Sequence, residues 1–473
     1  MGAHGVRPAF AVREQWATIA AMHSTPSPSV ADTPLIHWLE ADQPCSARWR
    51  SERGAPPPKK VVLADDTMSA DTAYRLACEG TALLWRGDFP NARQMLQAIA
   101  RRSDDSGKTD KRGRKPKVNP LSSSATQLIA GSASATAAAA GLAINSVPAI
   151  DPAEAAKGFH MHRQAQAQRA RVLGMVLITF DADYAIALRR APDARVACTE
   201  AWGAAEGAEN AGPSVASLRE LLGVISAHEW RKNGIEIPAL GVDPDNRMHS
   251  QRIHPHYGVY SPLRGEYVGL MVKMPLPKVD LPQGAAFTAF DIGTGTGVLT
   301  AVLARRGVDR MVATDLDPRA LTCAAENLKR LRVNAELVQA NLFPPVEMGL
   351  AHLIVCNPPW LPARPSSPLE HAVYDEGSGM LLGYLSGLAA HLAPDGEGWL
   401  ILSDLAEHLG LRTRAELLAA IKAAGLQVAG RMDAKPTHGK VADTTDPLHL
   451  ARSKEVTSLW RLKAKVAKAA ETA

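Results

Sequence analysis

The sequence predicts an α/β protein whose C-terminal part folds as a doubly wound, mostly parallel sheet, preceded by a mainly helical N-terminal region. Two observations support this fold class. From residue 287 onward, short apolar runs alternate with amphipathic stretches of about ten to fifteen residues, which is typical of right-handed β-α-β units. Upstream of residue 259, stretches with apolar residues at helical spacing dominate.

The composition indicates a globular chain of several domains. Its 473 residues suffice for two or three domains, and 21% charged with 46% hydrophobic residues exclude a wholly disordered chain and a polytopic membrane protein. The five cysteines are scattered without CxxC spacing, so we expect free thiols in a reducing compartment. Residues 1–30 lack the apolar core of a signal peptide. We therefore expect a cytoplasmic protein.

The N-terminal part shows helical periodicity. Within residues 71–102, Leu83 and Leu84 continue an earlier helical spacing, and a break at Gly87-Asp88-Phe89-Pro90 predicts an antiparallel helix pair. Residues 159–173 and 217–230 are two further amphipathic stretches, the second with Ser217 as its N-cap. The expected organisation is a loose tail (1–35), a helical region (36–102), a basic and then Ala/Ser-rich linker (103–157), a helical and irregular substrate-recognition region (158–258), an α/β domain (259–465) and a tail (466–473).

The net charge of +5 lies in one segment. Between Arg101 and Lys117 the chain has eight basic and three acidic residues, so the remainder sums to zero. The KRGRKPK stretch within it resembles an AT-hook, which enters the minor groove of DNA, but we favour a solvated basic linker. Residues 118–150 are uncharged, yet their Ala, Ser and Gly content favours a low-complexity linker over a membrane span. We expect no contact with a membrane.

Two HxH pairs, His160 with His162 and His254 with His256, are the candidates for a metal site. Zinc needs three or four convergent ligands, and neither pair has a Cys or further His at the spacing of a zinc finger. We expect no bound metal.

The α/β part contains four predicted strands, each followed by a polar cluster. Strand 287–292 leads into Gly293-Thr294-Gly295-Thr296-Gly297, strand 310–314 into Asp315, strand 335–339 into Ala340-Asn341, and strand 352–356 into Asn357-Pro358-Pro359-Trp360. Ligands of doubly wound sheets bind beyond the carboxyl ends of the strands, so all four clusters are candidates for one site.

The first two clusters suit a nucleotide-type cofactor. Glycines allow positive φ and close approach to the backbone, and the helix that follows Gly297 offers free amide donors. Asp315, about twenty residues beyond the glycines, is placed to accept hydrogen bonds from ribose hydroxyls. The glycines could instead form an ordinary tight turn, and Asp315 could cap the helix that begins near Pro318.

The fourth cluster indicates which chemistry the cofactor serves. Asn357-Pro358-Pro359-Trp360 resembles the Asn-Pro-Pro-aromatic motif of class I S-adenosylmethionine-dependent methyltransferases that modify nitrogen on a planar π-system. The two prolines stiffen the loop and remove amide donors, which leaves the Asn357 side chain and the Pro358 carbonyl as acceptors for a substrate NH₂ group. Trp360 would stack on the planar group.

Residues 259–463 share this resemblance, and within the superfamily they are most similar to the methylases of polypeptide-chain release factors. Asp375-Glu376-Gly377-Ser378-Gly379-Met380 stands where that group has a glycine-rich run that opens a helix, and residues 259–267 resemble an element that borders its active site. The resemblance implies a seven-stranded Rossmann-like sheet whose last two strands form a hairpin. It implies S-adenosylmethionine as cofactor, bound by Asp291, Gly293, Thr294, Gly295, Gly297, Asp315, Asn341 and Leu342.

The expected function is transfer of a methyl group to a planar nitrogen. We prefer a protein glutamine amide, with a translation factor among the candidate partners, and keep the exocyclic amino group of adenine or guanine in RNA or DNA as the alternative. A nicotinamide-dependent oxidoreductase would leave the NPPW motif without a role, and a non-catalytic binding protein is a third alternative. The long polar stretch 433–455 is expected to border the substrate cleft.

Overall fold

The computed structural model describes residues 34–106, 151–205, 212–242, 251–365, 368–437 and 443–465. Nearly all of the predicted N-terminal tail (1–35), most of the linker (103–157) with its basic stretch, and the C-terminal tail (466–473) lie outside the described residues.

The N-terminal part combines helices with a sheet of six strands. The strands are β1 (Leu35–Glu40), β2 (Gln43–Trp49), β3 (Lys60–Ala64), β4 (Thr81–Trp85), β5 (Val176–Phe180) and β6 (Ser214–Ser217), in the order β1-β2-β6-β5-β4-β3. The helices are α1 (Ala70–Cys78), α2 (Phe89–Ser106), α3 (Pro152–Leu173), α4 (Arg195–Trp202) and α5 (Leu218–Asn233). Helix α5 begins after Ser217, whose side chain accepts from the Glu220 amide, as the sequence predicts.

The first predicted helix of this part is shorter than predicted. The segment with Leu83 and Leu84 is strand β4, and Gly80, with a φ of +81°, separates it from α1. All five residues of β4 are buried, so the strand shows a continuous apolar run instead of the alternation that marks a half-buried strand. The helices that the sequence predicts are otherwise present, and the six-stranded sheet is an addition to them.

Two short strands and a helix connect the two parts: β7 (Ile235–Glu236), β8 (Arg252–Ile253) and α6 (Gly265–Lys273). The C-terminal strands are β9 (Thr288–Ile292), β10 (Arg310–Asp315), β11 (Glu336–Gln339), β12 (Ala351–Cys356), β13 (Leu392–Ser403), β14 (Leu426–Ala434) and β15 (Thr457–Ala464). The helices there are α7 (Val298–Arg305), α8 (Pro318–Arg330), α9 (Gly379–His391), α10 (Leu405–His408), α11 (Arg414–Ala423) and α12 (His449–Arg452).

The C-terminal strands form one seven-stranded sheet in the order β11-β10-β9-β12-β13-β15-β14. Strand β15 pairs antiparallel with both neighbours, and the other pairs are parallel. The predicted doubly wound sheet with a final antiparallel hairpin is confirmed. Its fifth strand starts at Leu392 rather than at the predicted Gly398.

Helices cover both faces of this sheet, and the alternation of side chains explains why. Along β9 and β12, Ala289 and Val355 pack on the face that carries α7, while Phe290 and Ile354 pack on the opposite face with α9. Successive residues of a strand point to opposite faces, so strands buried on both sides are mostly apolar instead of alternating.

Strand register brings the predicted clusters to one edge. Ile292 of β9 lies beside Thr314 of β10 and beside Cys356 of β12. The residues that follow leave the sheet together at its carboxyl edge.

Helix α3 links the N-terminal part to the segment that follows the NPPW motif. Phe159 on α3 is 1% exposed and packs in a cluster with Leu361 and Leu405 of the C-terminal part. Tyr374 also packs against this cluster, and the centroid of its ring lies 6.5 Å from that of Phe159. The segment that directly follows the motif is therefore packed against a helix from a distant part of the chain.

Arg163, one turn further along α3, strengthens this contact. It pairs with Glu370 at 3.1 Å, donates to the Arg364 carbonyl at 2.7 Å and lies 4.0 Å above the Tyr374 ring. A planar guanidinium satisfies several partners at once, so this residue fixes the segment 361–374 against α3.

Among the helices that the structure describes, none is long and apolar enough to cross a bilayer.

We predict that Phe159→Ala lowers the free energy of unfolding by about 3 kcal/mol, because it removes a fully buried aromatic ring from the contact between α3 and the C-terminal part. Denaturant titration followed by circular dichroism measures this change. Met161→Ala on the same helix is the matched control, since Met161 is 61% exposed and its loss should change stability by less than about 0.5 kcal/mol. Equal effects of the two substitutions would contradict the docking of α3.

Candidate active site

The loop after β9 depends on three glycines. Gly293, Gly295 and Gly297 have φ values of +72°, +55° and +81°, in the left-handed region that favours glycine. A Cβ atom on Gly293 would lie 2.6 Å from the Met380 side chain, and one on Gly297 would lie 3.3 Å from the Ala324 backbone. A Cβ on Gly295 would meet nothing within 4 Å, so the middle of the loop is an open backbone surface.

A buried carboxylate supports the loop from below. The Oδ2 atom of Asp291 accepts from the Thr294 hydroxyl at 2.8 Å and from the Thr300 amide and hydroxyl at 3.1 and 2.7 Å. Burial raises the pKa of Asp291, although these hydrogen bonds oppose the shift. The structure thus places Asp291 and Thr294, both predicted as cofactor ligands, beneath the loop, where they hold its shape.

Asp315 lies at the open surface of the loop. Its Oδ2 atom accepts from the Gly295 amide at 3.0 Å, and its Oδ1 atom accepts from the Asp317 amide at 3.0 Å. Burial raises the pKa of this carboxyl. The cap of α8 is Asp317, whose side chain accepts from the Arg319 amide, so Asp315 is not the cap. Leu316 beside it is 65% exposed and offers an apolar surface that the sequence analysis did not single out.

Asn341 and Leu342 lie at the same edge, after β11. Asn341 is exposed, whereas Leu342 adopts a φ of +72° and its carbonyl accepts from the Thr314 hydroxyl at 2.5 Å. The Leu342 side chain packs where a Cβ on Gly383 of α9 would stand. Asn341 therefore faces outward and Leu342 attaches this loop to the fold.

The NPPW motif follows β12 directly. Pro358 is buried, and Asn357, Pro359 and Trp360 are half-buried. The indole Nε1–H of Trp360 donates to the Asn357 Oδ1 atom at 3.0 Å. The Arg264 guanidinium lies 4.6 Å from the centroid of the Trp360 ring. The sequence predicts only that Trp360 stacks on a substrate; in the structure it also orients Asn357 and carries a cation over its ring.

Arg264 belongs to a buried ionic cluster that the sequence analysis missed. It pairs with Glu266 at 2.6 Å and with Glu455 at 2.8 Å. Arg264 and Glu266 lie in residues 259–267, which resemble an element bordering the active site of the release-factor methylases. Glu455 is 191 positions away from Arg264, and no local sequence pattern links the two. Glu455 ends the polar stretch 433–455, so part of that stretch contacts the site, while His438 within it lies outside the described residues.

The segment 375–380 completes the site. Asp375 accepts from the amides of Met380 and Leu381 at 3.0 and 3.1 Å and so holds the start of α9. Gly377 and Ser378 have φ values of +65° and +58°, which allow the tight turn before the helix. This turn places Met380 against Gly293, so the glycine loop and α9 are in contact.

The second HxH pair, His254 with His256, has other partners. His254 Nδ1 lies 2.6 Å from the Arg231 carbonyl, and His256 Nε2 lies 3.0 Å from Glu326. Across the part of the chain that the structure describes, no three His, Cys, Asp or Glu side chains group closely enough to hold a metal ion.

The order and directions of the seven strands are those of a class I methyltransferase domain, the class that the sequence predicts. Residues 273–403 match the family model of the methyltransferase small domain. This match confirms the predicted resemblance and S-adenosylmethionine as the cofactor of this class of domain.

Three curated relatives are similar to parts of the chain. A ribosomal protein L11 methyltransferase from Pelotomaculum thermopropionicum is 47% identical over 15% of this chain and 23% of its own. A putative protein N5-glutamine methyltransferase from Methanocaldococcus jannaschii is 34% identical over 17% of this chain and 40% of its own. A release factor glutamine methyltransferase from Aquifex aeolicus is 34% identical over 23% of this chain and 39% of its own. The chain thus spans less than half the length of each relative.

We predict that Asp315→Ala weakens binding of S-adenosylhomocysteine by about 10- to 100-fold. The reason is that the Asp315 carboxylate would no longer accept the two hydrogen bonds expected from the ribose hydroxyls of this ligand. Isothermal titration calorimetry measures the affinity. Asp317→Ala is the matched control: it removes the cap of α8 at a cost of about 1 kcal/mol in stability and should leave the affinity within about twofold. Equal losses in both variants would contradict the role of Asp315.

Proposed function

We propose that this protein transfers the methyl group of S-adenosylmethionine to a nitrogen attached to a planar π-system, most specifically the side-chain amide of a protein glutamine. One observation carries the proposal: register places the NPPW motif directly beside the glycine loop, because Cys356 and Ile292 are neighbours in adjacent parallel strands. The acceptor-binding motif and the cofactor loop therefore share one edge of the sheet.

The residues present fit the cofactor. The open backbone at Gly295 can receive a flat ligand without a Cβ clash, and the Asp315 carboxylate beside it can accept from two ribose hydroxyls. Leu316 offers an apolar surface for a base, and Asn341 offers a polar edge. When bound, the cofactor supplies an activated methyl group on a sulfonium.

The chain's own residues supply orientation. An amide nitrogen is a weak nucleophile because its lone pair is delocalised. The Asn357 Oδ1 atom and the Pro358 carbonyl accept the two N–H bonds of the acceptor and hold its lone pair toward the methyl group. These acceptors also favour the positive charge that develops on nitrogen. Asn357 Oδ1 has two lone pairs, one engaged by Trp360 and the other free for the substrate.

Two observations support glutamine as the acceptor. Two of the three relatives reported above carry glutamine methyltransferase in their names, and the third is named for a ribosomal protein. The turn 375–380, which resembles that of the release-factor enzymes, lies at the site and contacts the glycine loop. A translation-associated protein is the partner that these similarities favour.

The alternative acceptor is the exocyclic amino group of adenine or guanine in a nucleic acid. It presents the same NH₂ on a planar π-system, and the +5 charge of residues 101–117 favours a polyanion. Most of that segment lies outside the described residues.

We predict that Asn357→Ala reduces methyl transfer by at least about 100-fold and leaves the affinity for S-adenosylhomocysteine within about threefold, because Asn357 contacts the acceptor and not the cofactor. Incorporation of label from methyl-labelled cofactor into a cell extract gives the rate, and calorimetry gives the affinity. Asn334→Ala, at an exposed Asn between α8 and β11, should change neither. Full incorporation by Asn357→Ala would exclude the proposed NH₂ contact.

We predict that the label accumulates in the protein fraction of that extract. Separation of protein from RNA and DNA after incubation with the wild-type chain measures this, and peptide mass spectrometry then tests for methylglutamine. A reaction without added chain gives the background. Label confined to nucleic acid would replace glutamine by the alternative acceptor.

A further inference from the structure

We infer that Arg264 is a positioning residue of the methyl-transfer site: held by Glu266 and Glu455, it fixes Trp360, and Trp360 through its indole N–H fixes the amide of Asn357. This inference rests on the function proposed above, because it assigns Arg264 a part in presenting Asn357 to the acceptor.

The first step is the rigidity of Arg264 itself. Its side chain is only 17% exposed, and its Nε and one Nη atom contact Glu266 and Glu455 at 2.6 and 2.8 Å. Burial alone would lower the pKa of Arg264, but the two carboxylates raise it, so the guanidinium stays charged. Two carboxylates on separate nitrogen atoms of one planar guanidinium leave the group little freedom to rotate.

The second step is the anchoring of Glu455. Its side chain is fully buried, and its Oε1 atom accepts from the Ser403 hydroxyl at 2.7 Å as well as from Arg264. Ser403 ends strand β13 and also accepts from the Leu405 amide at 3.0 Å. Arg264 is therefore linked, through Glu455 and Ser403, to the carboxyl edge of the seven-stranded sheet.

Glu455 has an unusual feature that points to function. Its Oε2 atom is buried and accepts no hydrogen bond from the described residues. A buried carboxylate with half of its acceptor capacity unused is a costly way to stabilise a fold. Besides Ser403, the Glu455 carboxylate contacts Arg264. We therefore infer that Glu455 fixes the position of the Arg264 guanidinium.

The third step leads to the reacting groups. The guanidinium carbon lies 4.6 Å from the centroid of the Trp360 ring, a distance typical of a cation–π contact. The ring held in this way directs its N–H to Asn357 Oδ1 at 3.0 Å. An Asn side chain rotates freely unless a partner distinguishes its oxygen from its nitrogen, and here the indole does so. Loss of Arg264 should therefore misdirect the acceptor contact without touching the cofactor loop.

The kinetic test compares Arg264→Gln and Arg264→Lys with the wild-type chain, with methyl-labelled cofactor and the protein fraction of a cell extract as the probe. Arg264→Gln should incorporate label about 10- to 100-fold more slowly, since small misplacements of a reacting contact have effects of this size. Its affinity for S-adenosylhomocysteine should stay within about twofold. Arg264→Lys keeps the charge but not the fork and should be intermediate.

A second measurement is independent of the acceptor. In chains labelled with 5-fluorotryptophan, the ¹⁹F resonance of Trp360 is assigned by its absence in Trp360→Phe. Arg264→Gln should shift this resonance, as should Glu455→Gln, which keeps the side-chain shape. Arg431→Gln is the matched control: Arg431 pairs with Asp433 at 2.8 Å and lies 5.0 Å from the Trp460 ring, so only the Trp460 resonance should move.

The outcomes separate this inference from the proposed function. A wild-type rate in Arg264→Gln overturns the inference, whether or not the Trp360 resonance moves. If Asn357→Ala is inactive at the same time, the proposed function survives; if Asn357→Ala also retains full incorporation, the proposed function fails with it. Should Arg264→Gln not fold, Glu455→Gln decides: an unchanged Trp360 resonance and an unchanged rate overturn the inference.

Discussion

The parallel pairing of β9 with β10 and β12 is the constraint on which the rest of the site depends. It aligns Ile292 with Thr314 and Cys356, so that the glycine loop, Asp315 and the NPPW motif leave the sheet side by side. No side chain of the site needs to reach far, because each begins at the same edge. Register is fixed by burial on both faces, since a slip of one residue would exchange the two faces of every strand.

Below that edge, two carboxylates give the loops their shape. Asp291 holds the glycine loop from inside the fold, and Asp375 holds the turn before α9. Both are carboxylates that accept from backbone amides and so compensate donors that the loops would otherwise leave unpaired. The open surface of the site is thus formed by backbone and by a few side chains, with the supporting charges placed beneath or behind it.

Most of the C-terminal fold could be predicted from the sequence, because alternating apolar runs and turn residues are local signals. The candidate site residues could be proposed for the same reason, since each lies at or just beyond the end of a predicted strand. Two features could not be predicted. Strand β4 is buried at every position, so its apolar residues fit helical spacing as well as a strand. The contact of Arg264 with Glu455 joins residues 191 positions apart, and only tertiary structure brings them together.

The docking of α3 has a consequence for how this protein can diversify. Phe159 and Arg163 come from a helix that ends at Leu173, well before the C-terminal domain begins, yet they pack against residues 361–374, which directly follow the NPPW motif. The loops at the carboxyl edge of the sheet and this helix are encoded by separate stretches of the gene. Mutation can therefore change this contact surface while the loops at the carboxyl edge of the sheet keep their sequence. The same separation offers a protein engineer a place to alter the surface beside the NPPW motif without changing the motif or the glycine loop.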